Sequence, residues 1–197
     1  MIKEHLPIPF GKHTRIDIIN MLAQRINAAS YLEIGCDNNE CFDHINISNK
    51  VGVDPRHGGT LRMTSDEYFS KYNDKFDIIF VDGLHHYEQI TKDIDNSLKI
   101  LNNDGFIIMH DLLPYREAAA TKEASKTTPE WNGDVWQISF DLVGRRDIIF
   151  RLVCSDFGCG IISKKINLSP RSHNCDGSWN FYKNNWNTLP LITFEEI

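Results

Sequence analysis

Phe76-Asp-Ile-Ile-Phe-Val-Asp82, then Tyr87, Ile90, Ile94, Leu98 and Leu101, then Gly105-Phe-Ile-Ile-Met-His-Asp111 decide the fold. The first run is β-branched and aromatic with little polar alternation, the pattern of a parallel strand covered on both faces. The apolar series after it steps by three and four, which predicts a helix with one buried stripe. Asn102-Asn-Asp-Gly105 predicts the helix stop, and residues 106–110 the next strand. Strand, helix and strand within about thirty residues form a βαβ unit, which is nearly always right-handed.

Working outward, residues 15–26 set Ile16, Ile19, Leu22 and Ile26 at helical spacing. Ser30-Tyr-Leu-Glu-Ile-Gly35 reads as a short buried strand, 40–47 as a short helix, and Lys50-Val-Gly-Val-Asp54 as a second strand. Pro55 and Gly58-Gly59 supply its turn, 61–63 a short third strand, and Thr64, Ser65 or Asp66 the cap of a helix through Tyr72. After Asp111 the pattern loosens: 112–132 reads as loop with an Ala-rich helical piece at 117–125, and 133–143 as helix. Residues 147–154 and 160–163 pair as an antiparallel hairpin, and 169–197 reads as a docked helix and tail. Alternating strands and helices make an open α/β sheet. The expected organisation is one domain over 1–197, with 1–27 as a helical lead-in and 166–197 docked on it.

Composition narrows the functions. At 41% hydrophobic residues the chain of 197 can build a core, so wholesale disorder is excluded. Lys and Arg number 21 against 27 Asp and Glu, a net charge of −6 with no basic cluster, which argues against nucleic-acid partners and polybasic membrane binding. No apolar run approaches the ~20 residues of a membrane span. Residues 1–10, with Lys3, Glu4, His5, Pro7 and Pro9, lack the apolar stretch of a signal peptide. Cysteines at 36, 41, 154, 159 and 175 show no C-x-x-C spacing, so free thiols in a reducing cytoplasm are expected rather than zinc or disulfides.

Open α/β sheets bind ligands beyond the carboxyl ends of their strands. That rule selects Glu33 and Gly35 at the first turn, Asp54 after the second strand, Ser65 and Asp66 after the third, Asp82 to Tyr87, and His110-Asp111. Gly35 permits close backbone approach, and a carboxylate at Asp54 can accept both hydroxyls of a ribose. A dinucleotide needs G-x-G-x-x-G, whereas only Gly35 stands here, beside Asp37, Asn38 and Asn39. A nucleoside ligand without phosphate fits better, and S-adenosylmethionine is that ligand. Ser65 or Asp66 would meet the adenine edge. Each residue also has a plainer reading: Gly35, Asp54 and Asp82 as turn residues, Ser65, Asp66 and His85 as helix caps, His110 as a satisfied strand-end histidine.

Tyr31-Leu-Glu-Ile-Gly-Cys36, Val51-Gly-Val-Asp-Pro55, Gly58-Gly-Thr-Leu-Arg-Met-Thr-Ser-Asp66, Phe76-Asp-Ile-Ile-Phe-Val-Asp-Gly-Leu-His-His-Tyr87, Gly105-Phe-Ile-Ile-Met-His-Asp111, Gly133-Asp-Val-Trp136 and Asp156-Phe-Gly-Cys-Gly-Ile161 follow in order. The series resembles class I S-adenosylmethionine-dependent methyltransferases, in particular the small bacterial group related to macrolide-sugar O-methyltransferases. The resemblance implies a Rossmann-like seven-stranded, mostly parallel sheet with a C-terminal antiparallel hairpin and helices on both faces. It implies methyl transfer to a small-molecule or sugar hydroxyl, with Glu33, Gly35, Asp54, Ser65, Asp66 and Asp82 around the cofactor. His85 with Asp82 would be catalytic, His85 as the general base, while Asp82 and Asp111 would hold a divalent metal such as Mg²⁺. One departure is Asn39, where the group carries a second glycine. Two alternatives stay open: a nucleoside-binding module of the same fold without turnover, and a nicotinamide-dependent oxidoreductase, disfavoured by the absent glycines. A homo-oligomer is left open.

Overall fold

Seven strands form one sheet: β1 (Ser30–Ile34), β2 (Asn49–Val53), β3 (Phe76–Val81), β4 (Leu101–Met109), β5 (Ile149–Val153), β6 (Cys159–Ser163) and β7 (Leu191–Ile192). A computed structural model describes residues 11–124, 129–164 and 175–197. The strand order is β2-β1-β3-β4-β6-β5-β7. β1 to β4 pair in parallel, β6 runs antiparallel to both β4 and β5, and β7 pairs parallel to β5. The chain leaves β1 for one side and returns for β3 on the other, so the crevice opens between the ends of β1 and β3, at Gly35 and Asp82.

Two cores follow from the alternation of side chains along the strands. Ile78, Phe80 and Ile108 face α1 (Arg15–Ile26), which buries Ile18, Ile19 and Leu22 there. Ile79, Val81, Ile107 and Met109 face α3 (Tyr87–Ile100), α4 (Ile138–Gly144) and α5 (Trp179–Asn185). Trp136, which precedes α4, is buried in this second core and meets Phe140 and Tyr182 edge-on. α2 (Ser65–Lys71) begins at Thr64, whose hydroxyl accepts the Glu67 amide while Glu67 bonds back to the Thr64 amide, a capping box.

Several expected elements are smaller than predicted. The helix at 40–47 is a single 3-10 turn, Phe42–His44, because Ile47, only two residues after Ile45, is buried out of helical step. The third strand at 61–63 contracts to one bridge, Val53 to Leu61. The sheet keeps seven strands because Leu191–Ile192, in the expected tail, adds one at the opposite edge. α3 ends at Ile100 and β4 starts at once, so Asn102 to Gly105 extend the strand rather than form a separate turn; the irregularity falls in the pairing with β3 between Phe76 and Ile78. The Ala-rich piece is a 3-10 turn, Glu117–Ala119, and the expected helix at 133–143 is a 3-10 turn, Val135–Gln137, followed by α4. The expectations for 1–10, for the end of the piece at 125 and for 165–174 lie outside the described residues. Among the described residues no helix is long and apolar enough to cross a membrane.

Candidate active site

The carboxyl ends of β1 to β4 surround a cavity of about 840 Å³, a size suited to a nucleoside-scale ligand. Glu33, Gly35, Asp54, Ser65, Asp66, Asp82, His85 and Asp111, all singled out from the sequence, line it. Arg15, at the first turn of α1, and Trp131 also reach its wall.

At the end formed by β3 and β4, imidazoles and carboxylates interlock. His85 Nε2 lies 3.3 Å from Asp82 Oδ1, and His85 Nδ1 lies 3.3 Å from Asp111 Oδ2 and 3.1 Å from the Trp131 carbonyl oxygen. Both ring nitrogens thus face acceptors, which favours a proton on each. His85 is accordingly raised to about 9: burial opposes the charge, and Asp82, Asp111 and the Trp131 carbonyl outweigh it. His110 behaves alike, with Nδ1 3.6 Å from Asp82 and 3.5 Å from Asp111, and Nε2 3.5 Å from Asp156. Asp111 and Asp82 hold its pKa well above the usual histidine value despite burial. Asp82 in turn lies well below the ordinary carboxylate range, burial being overcome by His110 and His85. Arg15 completes the balance, 3.3 Å from Asp156 and 3.9 Å from Asp82.

The segment 131–134 holds this arrangement in place. Trp131 stacks on His85 at 5.1 Å, and the Asn132 side chain donates to Asp111 Oδ1 at 2.6 Å. Gly133 has φ +70°, and a Cβ there would collide with the His85 carbonyl oxygen. Asp134 accepts the Tyr87 amide at 2.7 Å, where α3 begins. Asp111 itself sits at φ +66° and Asp156 and Phe157 at +47° and +58°, left-handed angles that cost free energy outside glycine and mark a conformation imposed by its surroundings.

At the other end, Asp54, expected to accept the hydroxyls of a ribose, lines the cavity and is also bound by the loops around it. Its Oδ2 accepts the amides of Cys36 and Asp37 at 3.1 and 3.0 Å, and its Oδ1 those of Arg56 and His57 at 2.7 and 2.9 Å. These amides hold Asp54 below the ordinary carboxylate range against its burial. The acid therefore ties the loop after β1 to the loop after β2. Asn39 makes a second tie, adopting φ +67° and accepting the Gly59 amide at 2.6 Å. Asparagine thus both tolerates the glycine-type backbone angle and adds a bond that glycine lacks. Gly35 is needed for a reason the sequence did not disclose: at φ +87°, a Cβ would strike the Asp82 carbonyl. Beneath the loop, Glu33 is buried, accepts the Tyr31 hydroxyl and rises to about 7 through burial, while its Oε1 has no hydrogen bond among the described residues.

On the α2 and α3 side, Gln89 Nε2 lies 3.1 Å from Ser65 Oγ, 3.0 Å from Asp66 Oδ1 and 3.1 Å from Asp93 Oδ1. Asp66 Oδ2 also faces Lys92 at 3.5 Å. Sequence reasoning missed Arg15, Gln89 and Asn132, which lie in helices or loops rather than directly after apolar strand runs, and Asp156, three residues past β5.

A family model described as a methyltransferase domain matches residues 20–112. No curated protein sequence matches the chain. Solved structures are similar over most of its length. A Staphylococcus aureus protein described as a caffeoyl-CoA O-methyltransferase has a TM-score of 0.61 at 18% identity, covering 80% of this chain and 86% of that one. An O-methyltransferase from Bacillus cereus in complex with S-adenosylhomocysteine gives 0.57 at 14%, with 81% and 84% covered. The S-adenosylhomocysteine-bound methyltransferase PaMTH1 of Podospora anserina gives 0.55 at 16%, with 77% and 78% covered.

Proposed function

We propose that the chain is a class I S-adenosylmethionine-dependent methyltransferase, a reading supported by the methyltransferase-domain model over residues 20–112, and that it methylates a hydroxyl oxygen of a small molecule or sugar in the cytoplasm. One observation carries the reading: the acid and imidazole cluster of Asp82, His85 and Asp111 stands in the same cavity as Gly35, Asp54 and Ser65. A methyl donor spanning that cavity from the β2 end to the β3 end would lie beside the cluster.

The residues present suit the donor. The cavity is large enough, the loops bound by Asp54 and Asn39 form a fixed wall for a ribose, and the free Glu33 Oε1 is an acceptor for the ammonium group of a methionine tail. S-adenosylmethionine supplies an electrophilic methyl on a sulfonium. In the transfer the sulfur–methyl bond breaks, an oxygen–methyl bond forms, and the acceptor hydroxyl loses a proton. Asp82 and Asp111 hold His85 in place to receive it, but only its neutral form can do so. With a pKa of about 9, His85 is neutral in about one molecule in a hundred at pH 7. The acids around His85 thus hold the proton on it near neutrality.

A divalent cation also fits the donor set. Asp82, His85 and Asp111 each offer a ligand atom within 4.8 Å of the others, and oxygen-rich sets suit Mg²⁺. Asp82 and Asp111 would hold it, and it would polarise the acceptor oxygen. Calorimetric titration with S-adenosylhomocysteine and NAD, followed by transfer of labelled methyl to sugar and phenolic hydroxyls, tests the proposal. Preference for NAD refutes it. Tight product binding without turnover on any hydroxyl would favour a module that binds without catalysis.

A further inference from the structure

Recognition of a nucleoside base in the cavity needs a polar group that is not already engaged. The candidates read from the sequence, Ser65 and Asp66, are already engaged: Ser65 Oγ and Asp66 Oδ1 take the Gln89 amide, and Asp66 Oδ2 faces Lys92. Gln89 lies in the first turn of α3 and lines the cavity with Thr64, Ser65 and Asp66. Its side-chain orientation is not arbitrary. Two carboxylates, Asp66 and Asp93, lie 3.0 and 3.1 Å from one terminal atom, and a carboxylate accepts only, so that atom is the NH₂. Asp93 is almost fully buried in α3 and cannot turn away to solvent. The flipped amide would set carbonyl oxygen against both acids, so Oε1 is the amide atom turned away from them. Oε1 carries no hydrogen bond among the described residues.

We propose that the Gln89 carbonyl accepts a hydrogen bond from the exocyclic amine of the nucleoside base, with Asp93 and Asp66 as positioning residues that lock the amide, so that the site selects a 6-aminopurine over a 6-oxopurine. This rests on the cavity binding a nucleoside, as proposed above. A 6-oxopurine presents an oxygen where the amine stood, and two acceptors then face each other with no proton between them. An unmatched buried acceptor of this kind weakens binding about ten- to a hundredfold.

The test is calorimetric titration of S-adenosylhomocysteine and S-inosylhomocysteine into the wild-type protein and into Gln89→Leu and Gln89→Met, with circular-dichroism melts as the folding control. The expected result is a wild-type preference of about ten- to a hundredfold for the adenosyl compound. Both variants should reduce it to within about threefold, mainly by losing affinity for the adenosyl compound. A merely structural Gln89 would weaken both ligands equally and leave their ratio intact, which overturns the proposal. So does a wild-type protein that binds both compounds alike, or a Gln89→Met protein that melts normally and retains the preference. Wild-type protein that binds neither compound refutes the nucleoside reading itself, and Gln89's role with it.

Discussion

Replacing Asp111 by Asn should turn His85 from a stored cation into a usable base. In the wild type His85 sits 3.3 Å from Asp111 and 3.3 Å from Asp82, and its pKa rises from 6.5 to about 9 although burial works against it. A carboxylate within this distance shifts a neighbour by about 1–3 units. Its removal should therefore bring the His85 midpoint to about 6–8, since Asp82 and the Trp131 carbonyl remain. At pH 7 the neutral fraction would grow from about one in a hundred to at least about one in ten. Asn keeps an oxygen to accept the Asn132 side chain, so the loop contact at 2.6 Å has a partner in the variant. The assay is a pH titration of the imidazole Cε1–H resonances by NMR in the presence of a chelator, with His85→Gln used to assign the signal. The rising limb of kcat/KM against pH is read in parallel. A wild-type midpoint within about half a unit of 6.5, or one that stays put in Asp111→Asn, would refute the derivation from geometry.

His85→Ala should abolish turnover at all pH values while leaving S-adenosylhomocysteine affinity within about threefold by calorimetry; a large affinity loss would make His85 a structural residue. Because the folded pKa of His85 lies above its unfolded value, its stabilisation is complete below about pH 6.5 and fades as pH rises through about 9. That is about 3 kcal/mol, so the melting temperature should fall by roughly 6–12 °C between pH 6.5 and 9.5, and less in Asp111→Asn. Gly35→Ala meets the Asp82 backbone at a positive φ and should cost about 2–4 kcal/mol, visible as a lower melting temperature and lost ligand binding. Mg²⁺ should shift the rising limb of activity to lower pH, because it would cancel the acids that hold the proton on His85, and a limb unmoved by Mg²⁺ and chelator would remove the metal from the site.

The parts of the molecule that sequence disclosed are those with a period. β3, α3 and the apolar part of β4 carry unbroken apolar runs or a three-and-four stripe, so their type, order and carboxyl ends were legible. The strand-end rule then delivered Asp82, His85 and Asp111 to one cavity. Short elements failed because tertiary contacts decide them: Ile47 is buried two residues after Ile45, out of helical step, and Leu61 makes one bridge. Asp54 was placed correctly on the cavity wall, yet its amide partners at Cys36, Asp37, Arg56 and His57 exist only once two loops meet, and spacing along the chain carries no trace of that.

The segment 131–134 shows why sequence reasoning reaches the candidate groups before it reaches what holds them in place. Trp131, Asn132, Gly133 and Asp134 have no periodicity and follow a loose stretch, so packing alone would account for them. In the folded chain each contacts the site differently: a stacked ring and a carbonyl on His85, an amide on Asp111, a Cβ-free position against the His85 carbonyl, and an acceptor at the start of α3. Asp82 and His85 alone, three residues apart, specify neither which nitrogen faces which acid nor the protonation state. The Trp131 carbonyl faces Nδ1 and Asp82 faces Nε2, which fixes how the ring is turned, and Asp82 and Asp111 add the charge that raises its pKa. A backbone oxygen 46 residues downstream thus orients the imidazole, while Asp82 and Asp111 do more to hold its proton.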